Sequence, residues 1–225
     1  MPKVSDKRKK KKEEPERSEE MTEEEKKSAI AEAMSAMLDA PPDLRTMMLY
    51  GEVEEEKIQE LIVGLIMFTE GASSKSYDED GHLKPINFYI STYGGAADDM
   101  FALYDVMNIC KSGCDIQTIG IGKVMSAGVL LLAAGTKGKR YITKHCRVMI
   151  HSVAAGAGGQ MHNLENEMKA IKNLQDEYIN ALVANTDLTK RQLNKILDRK
   201  VNVYLTAEEA IEYGIADHIL GEQDG

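Results

Sequence analysis

The segment GKVMSAG, Gly122 to Gly128, sets one serine, Ser126, in a small-residue turn between an apolar strand and an apolar helix. Such a junction brings a side chain to a helix N-terminus, where backbone N–H groups lack partners. Those groups stabilise anions, including the oxyanion that forms in acyl transfer. Ala127 and Gly128 leave room for a carbonyl to approach. The turn is not the G-x-S-x-G elbow, because Gly128 follows the serine by two residues but Val124 precedes it by two. Turns of this kind also carry purely structural serines, so the neighbouring motifs matter. Thr92 to Gly95, TYGG, ends a second strand in two glycines and exposes backbone N–H groups with no side chain in the way. Of the five histidines, His82, His145, His151, His162 and His218, only His151 follows an apolar strand, RVMI, and opens onto a glycine-rich loop. A general base needs such a place, rigidly held yet reaching a cleft. A serine, a histidine and then an acid or amide, in that chain order, make a nucleophile, base and orienter set.

These residues need a scaffold, and the hydrophobic pattern supplies one. RTMMLYGEV (45–53), INFYIS (86–91) and DIQTIGIG (115–122) read as strands, and RYITKHCRVMIH (140–151) as one or two more. Ile58, Leu61, Ile62, Leu65 and Ile66 recur at helical spacing, as do Met100, Leu103, Tyr104 and Met107 in a helix expected to close at Gly113. SAGVLLLAAGTKG reads as a mainly apolar helix. The stretch from Met161 to Thr186 reads as a long amphipathic helix with Leu164, Met168, Ile171, Leu174, Tyr178 and Leu182 on one stripe. Two further helices start at the cap residues Thr189 and Thr206, with Gly214 ending the second and the short extended NVYLT between them. Residues 72–84 form a polar, acidic loop. Strands alternating with helices predict an α/β fold with mainly parallel pairing, whose glycine-rich turns after strands are the usual ligand positions.

Composition narrows the function classes. The 225 residues suit one domain with a tail, and 43% hydrophobic with 29% charged residues reads as soluble and globular. A net charge of −9 excludes a general polyanion binder. The block KRKKKK near the N-terminus is followed by glutamates and reads as a solvated arm, not a nucleic-acid contact. The helix SAIAEAMSAMLDA (28–40) is expected to end before Pro41 and Pro42. Cys110, Cys114 and Cys146 are an odd number, and no second pair completes a zinc site, so they read as buried thiols of a cytoplasmic protein. No apolar run spans a membrane, no signal peptide is legible, and no P-loop for nucleotide is present.

Together, YGG, SAGVLLLAAGTKGKR, RVMIH and AEEAIEYGIAD closely resemble the proteolytic subunit of the Clp protease, ClpP. The family's serine motif reads roughly G-x-A-A-S-M-G-A-x-L-L-x-A-G-x-K-G-K-R. The resemblance covers about residues 45–220. It implies a ClpP/crotonase-like spiral of ββα units with a protruding strand–helix handle at about 152–185, between an N-terminal extension (1–44), expected to be disordered, and a tail (221–225). It implies Ser126 as nucleophile, His151 as general base, and the N–H groups of Gly95 and Ala127 as the oxyanion hole. The family's aspartate falls on Asn202, with Asp198 four residues earlier as the runner-up. An amide oxygen can hold the histidine tautomer but brings no charge to the imidazolium, which implies weaker or conditional activity. Ala127 stands where the family has Met, Ser152 and Val153 where it has Gln-Pro, the 72–84 loop is longer, and the N-terminal extension does not match the family's axial loop.

The implied function is a serine endopeptidase that hydrolyses unfolded polypeptides and short peptides inside a chamber of two stacked heptamers. A AAA+ unfoldase of ClpX, ClpA or ClpC type feeds it, and the peptidase itself needs no metal or cofactor. Two alternatives stand beside it. One is a weak or inactive structural subunit in a mixed ring with a second ClpP-type subunit, suggested by Asn202. The other is an acyl-CoA-binding crotonase-fold enzyme, which would leave the Ser126–His151 pair unexplained.

Overall fold

The computed structural model describes residues 44–153, 161–198 and 201–221. The N-terminal extension and its expected helix, the glycine-rich start of the expected handle and most of the C-terminal tail lie outside the described residues. The elements in chain order are β1 (Thr46–Val53), α1 (Glu55–Glu70), a single 3-10 turn (Ser74–Ser76), β2 (Ile86–Gly95), α2 (Ala97–Cys110), β3 (Ile116–Met125), α3 (Ala127–Ala133), β4 (Arg140–Thr143), β5 (Arg147–Ile150), α4 (Met161–Asn185), α5 (Lys190–Leu197), β6 (Val203–Leu205), α6 (Ala207–Glu212) and β7 (His218–Leu220). The expected α/β architecture is present: strand order is β1-β2-β3-β4-β7, with β5 also on β3 and β6 on β5. Every pairing is parallel except β5 with β6.

Strand β3 organises the sheet. Its first half pairs with β4 (Thr118↔Arg140) and its second with β5 (Lys123↔Arg147 to Met125↔Met149). Between the halves Gly122 takes φ 63°, a left-handed value that glycine adopts without strain. The strand therefore continues past the expected end at Gly122 and carries Lys123–Met125 up to Ser126. Helix α3 starts there. All seven of its residues are buried, and it contacts β2, β3, α2 and α4. An apolar helix with no polar face must lie inside the fold. Leu130, Leu131 and Leu132, each 0% exposed, contribute roughly 2 kcal/mol apiece by burial.

Several helix expectations are corrected in detail. In α1, Ile58, Leu61 and Leu65 are buried but Ile66 is exposed, because only a narrow stripe meets β1 and α2. Helix α2 ends at Cys110 with right-handed Lys111 as its cap, so Gly113 does not close it. In α4 only the C-terminal part of the stripe, Tyr178 and Leu182 with Ile179, is buried, where the helix meets α3; Met168 is exposed. Thr189 and Thr206 are N-caps, each in a capping box with Gln192 or Glu209. Strand β7 had no expectation, since three residues carry too little periodicity. The acidic loop is tied down by Asp78, whose carboxylate accepts from the N–H groups of Asp80 (3.1 Å) and His82 (2.8 Å).

All three cysteines are free and buried, and burial pushes the Cys146 thiol up to about 12. Among the described residues no helix is long and apolar enough to cross a membrane.

One buried ion pair ties the distant parts of the chain together. Arg140, 2% exposed, donates to Asp217 through Nε (2.9 Å) and Nη2 (2.5 Å). Its Nη1 donates to the carbonyls of Ala133 (3.2 Å) and Asn185 (2.6 Å), the last residues of α3 and α4. A single cation thus meets the negative ends of two helices. Burial acts to raise the Asp217 pKa, but the Arg140 guanidinium outweighs it and the net direction is downward. The depressed pKa means that the pair stabilises fully above the ordinary carboxylate range and loses that contribution as pH falls through the folded value. Asp217→Asn is expected to cost about 3–5 kcal/mol in urea denaturation at neutral pH by leaving a buried charge unpaired, whereas Arg140→Met with Asp217→Leu costs much less.

Candidate active site

Ser126 sits at the junction of β3 and α3 with φ 53° and ψ −121°, and is the one non-glycine residue with positive φ among the described residues. Side chains rarely adopt this backbone, and it persists only where the surroundings enforce it. Three contacts do so. The Ser126 N–H donates to the Met149 carbonyl in β5 (2.9 Å). The Ser126 carbonyl accepts from Val129 N–H (3.0 Å), which closes the first turn of α3. The same carbonyl accepts from the Tyr178 hydroxyl on α4 (3.0 Å). Ser126 is the N-cap of α3, yet its hydroxyl makes no capping bond, so Oγ is not engaged by its own helix.

The partner loop approaches closely. A Cβ on Gly94, whose φ is +100°, would meet Ser126 Cβ at 2.5 Å and Oγ at 3.0 Å. Only glycine fits this position. Thr92 Oγ1 already accepts from the Gly94 N–H (2.9 Å). Ala127 is the first residue of α3, where helical N–H groups have no intrahelical partner. The β1–β2 register slips between Gly51↔Thr92 and Glu52↔Gly94, so Tyr93 bulges out and its ring is exposed.

His151 lies two residues beyond Met149, just past the end of β5, and is half-buried. Ser126, Gly94, Gly95, Ala127 and His151 line one cleft of about 540 Å³. Three of the positions expected around Ser126, namely His151, Gly95 and Ala127, are therefore brought into one cleft with it. The residue expected as third member is less close-knit. The antiparallel register of β5 with β6 runs Val148↔Leu205, Met149↔Tyr204, Ile150↔Val203, and His151 and Asn202 each lie one residue beyond it, outside the two strands. Asn202 is exposed and does not line the cleft. Among the described residues no hydrogen bond joins Ser126 Oγ, His151 and Asn202. Asp198 is the C-cap of α5 and lines a separate hollow with Arg191, Asn194 and Lys195, so it is not brought to the cleft.

From the sequence, Tyr178 reads as one more residue of the apolar stripe. A tyrosine at a buried stripe position signals a polar tip in need of a partner, and here the partner is the Ser126 carbonyl. Burial raises the Tyr178 pKa, so the hydroxyl stays protonated and donates.

The Clp protease family model matches residues 25–223, nearly the whole chain, and the chain belongs to that family, which is one of peptidases. The match begins before the span from residue 45 that the sequence motifs covered.

Two substitutions check this geometry in chemical denaturation. Gly94→Ala is expected to destabilise by about 1–3 kcal/mol through overpacking and an unfavourable φ. Tyr178→Phe is expected to cost about 1 kcal/mol, the net worth of one hydrogen bond.

Proposed function

We propose that the chain is the proteolytic subunit of an ATP-dependent Clp protease, a serine endopeptidase of the cytoplasm. Ser126 attacks the scissile carbonyl and forms an acyl-enzyme; His151 takes the serine proton and returns it to the leaving amine; water then releases the acyl group. The N–H groups of Gly95 and Ala127 hold the oxyanion. Asn202 orients the imidazole through its amide oxygen, without the charge an aspartate would bring. The observation that carries the reading is the strained Ser126 turn, with an uncapped hydroxyl, sharing its cleft with His151 and the Gly94–Gly95 turn. Membership of the Clp protease family supports it.

The chain assembles into two stacked heptamers, and unfolded polypeptides reach the chamber through a AAA+ unfoldase of ClpX, ClpA or ClpC type. The exposed Met168 on α4 suits a helix that meets another subunit. The domain spans 45–220 with its handle at about 152–185. A second reading, a weak or inactive subunit in a mixed ring with another ClpP-type chain, is favoured by one feature, Asn202 in place of an acid. Membership of a peptidase family sets the acyl-CoA reading aside.

Hydrolysis of a fluorogenic peptide, beside Ser126→Ala and with native mass measured on the same sample, tests the reading. Ser126→Ala is expected to abolish both cleavage and labelling by a fluorophosphonate. A well-assembled ring with neither activity would favour the structural subunit. Asn202→Asp is expected to raise kcat by at least about tenfold, since aspartate stabilises the imidazolium as well as the tautomer.

A further inference from the structure

The cleft that holds Ser126 does not end at the catalytic groups. It shares Asp98, Phe101 and Leu174 with a second hollow of about 580 Å³ between α2 and α4, so the two form one groove. Four carboxylates line this groove: Glu52 and Asp98 beside Ser126, then Asp105 and Glu177 further along. All four are exposed, and among the described residues none is in a salt bridge. Among the described residues no lysine or arginine lines either hollow. Two lysines of the surrounding elements are otherwise engaged. Lys190 Nζ donates to Asn180 Oδ1 at the far edge (3.3 Å), and the Lys123 ammonium sits 4.5 Å and 5.1 Å from the ring centroids of Tyr93 and Tyr50. Between the carboxylates the walls are apolar, made by Met100, Phe101 and Leu174.

Alternating apolar walls and unpaired carboxylates suit one class of side chain, a long alkyl stem that ends in a positive charge. A groove lined by one sign of charge also focuses its field and raises the local concentration of oppositely charged ligand. We infer that the groove selects basic polypeptide segments, with lysine or arginine side chains lying along Phe101 and Leu174 and their charges against Asp98, Asp105 and Glu177. The inference rests on the peptidase reading above and specifies its substrate class. The carboxylates hold the basic segment while the adjoining peptide bond meets Ser126, so they are specificity residues and take no part in bond making.

Binding is the direct test, read as fluorescence anisotropy of three fluorescein-labelled peptides on the full-length Ser126→Ala protein. The peptides share one apolar frame and carry four lysines, four glutamines or four glutamates. The lysine peptide is expected to bind at least about tenfold more tightly than the glutamate peptide at low salt. The ratio should shrink severalfold at about 0.5 M NaCl, where exposed charges are screened. Asp98→Asn with Asp105→Asn and Glu177→Gln should bring the ratio toward one, and Glu177→Gln alone should lower it about twofold. Glu56→Gln with Glu60→Gln and Glu79→Gln removes as many exposed charges outside the groove and should leave the ratio intact. Equal affinity for the lysine and glutamate peptides overturns the inference, as does a control variant that erases the preference as fully as the groove variant. Cleavage of the same peptides by the unsubstituted chain separates the two readings. Ser126-dependent cleavage without charge preference sinks the inference alone, whereas groove-dependent preference without any cleavage sinks the peptidase reading alone.

Discussion

The hydrogen bond from the Ser126 N–H to the Met149 carbonyl joins the two halves of the site. It exists because β3 divides its partners, giving β4 its first half and β5 its second. A strand that paired along its whole length with β4 would leave no edge for β5, and His151 would have no fixed relation to the serine. The left-handed turn at Gly122 lets one strand serve both neighbours. Beyond it, the register Met125↔Met149 fixes where the serine turn begins and where the histidine strand ends.

The strain at Ser126 is held from three sides that are remote in sequence. Strand β5 takes its N–H, and α4 reaches its carbonyl through Tyr178. Glycine at position 94 lets β2 come within contact of its side chain. Arg140 then binds the C-terminal carbonyls of α3 and α4, so the helix behind the serine and the helix bearing Tyr178 are fixed to one guanidinium and, through Asp217, to the turn before β7. The backbone conformation of a single residue is thereby an outcome of packing across most of the described chain, since such strain persists only where the surroundings over-determine it.

Charge is arranged differently from shape. Just beyond the β5–β6 register stand His151 and the neutral amide of Asn202, while carboxylates line the serine cleft and the hollow beside it. On the proposed reading, negative charge stands where a substrate chain would lie and is absent at Asn202, where the resemblance to the family implies an aspartate. Exposed carboxylates act over a distance set by salt screening, whereas an amide acts only on the group it touches.

By itself, the sequence determined the alternation of strands and helices, the apolar helix after Ser126, the capping boxes at Thr189 and Thr206, and the family. It also singled out Ser126, His151 and the Gly94–Gly95 turn. These are local signals, carried by periodicity, caps and glycine-rich turns that a short window contains. Tertiary structure alone decided that β3 runs on to Met125 and forks, that α2 stops at Cys110 rather than Gly113, and that Ile66 and Met168 are not buried within the chain. It also decided that Tyr178 serves Ser126, that Asp198 faces another hollow, and that Glu52 and Asp98 line the serine cleft while Asp105 and Glu177 line the hollow that adjoins it. Each of these depends on which surfaces meet across long separations in the chain. Hydrophobic spacing says that a face is buried, but not against what.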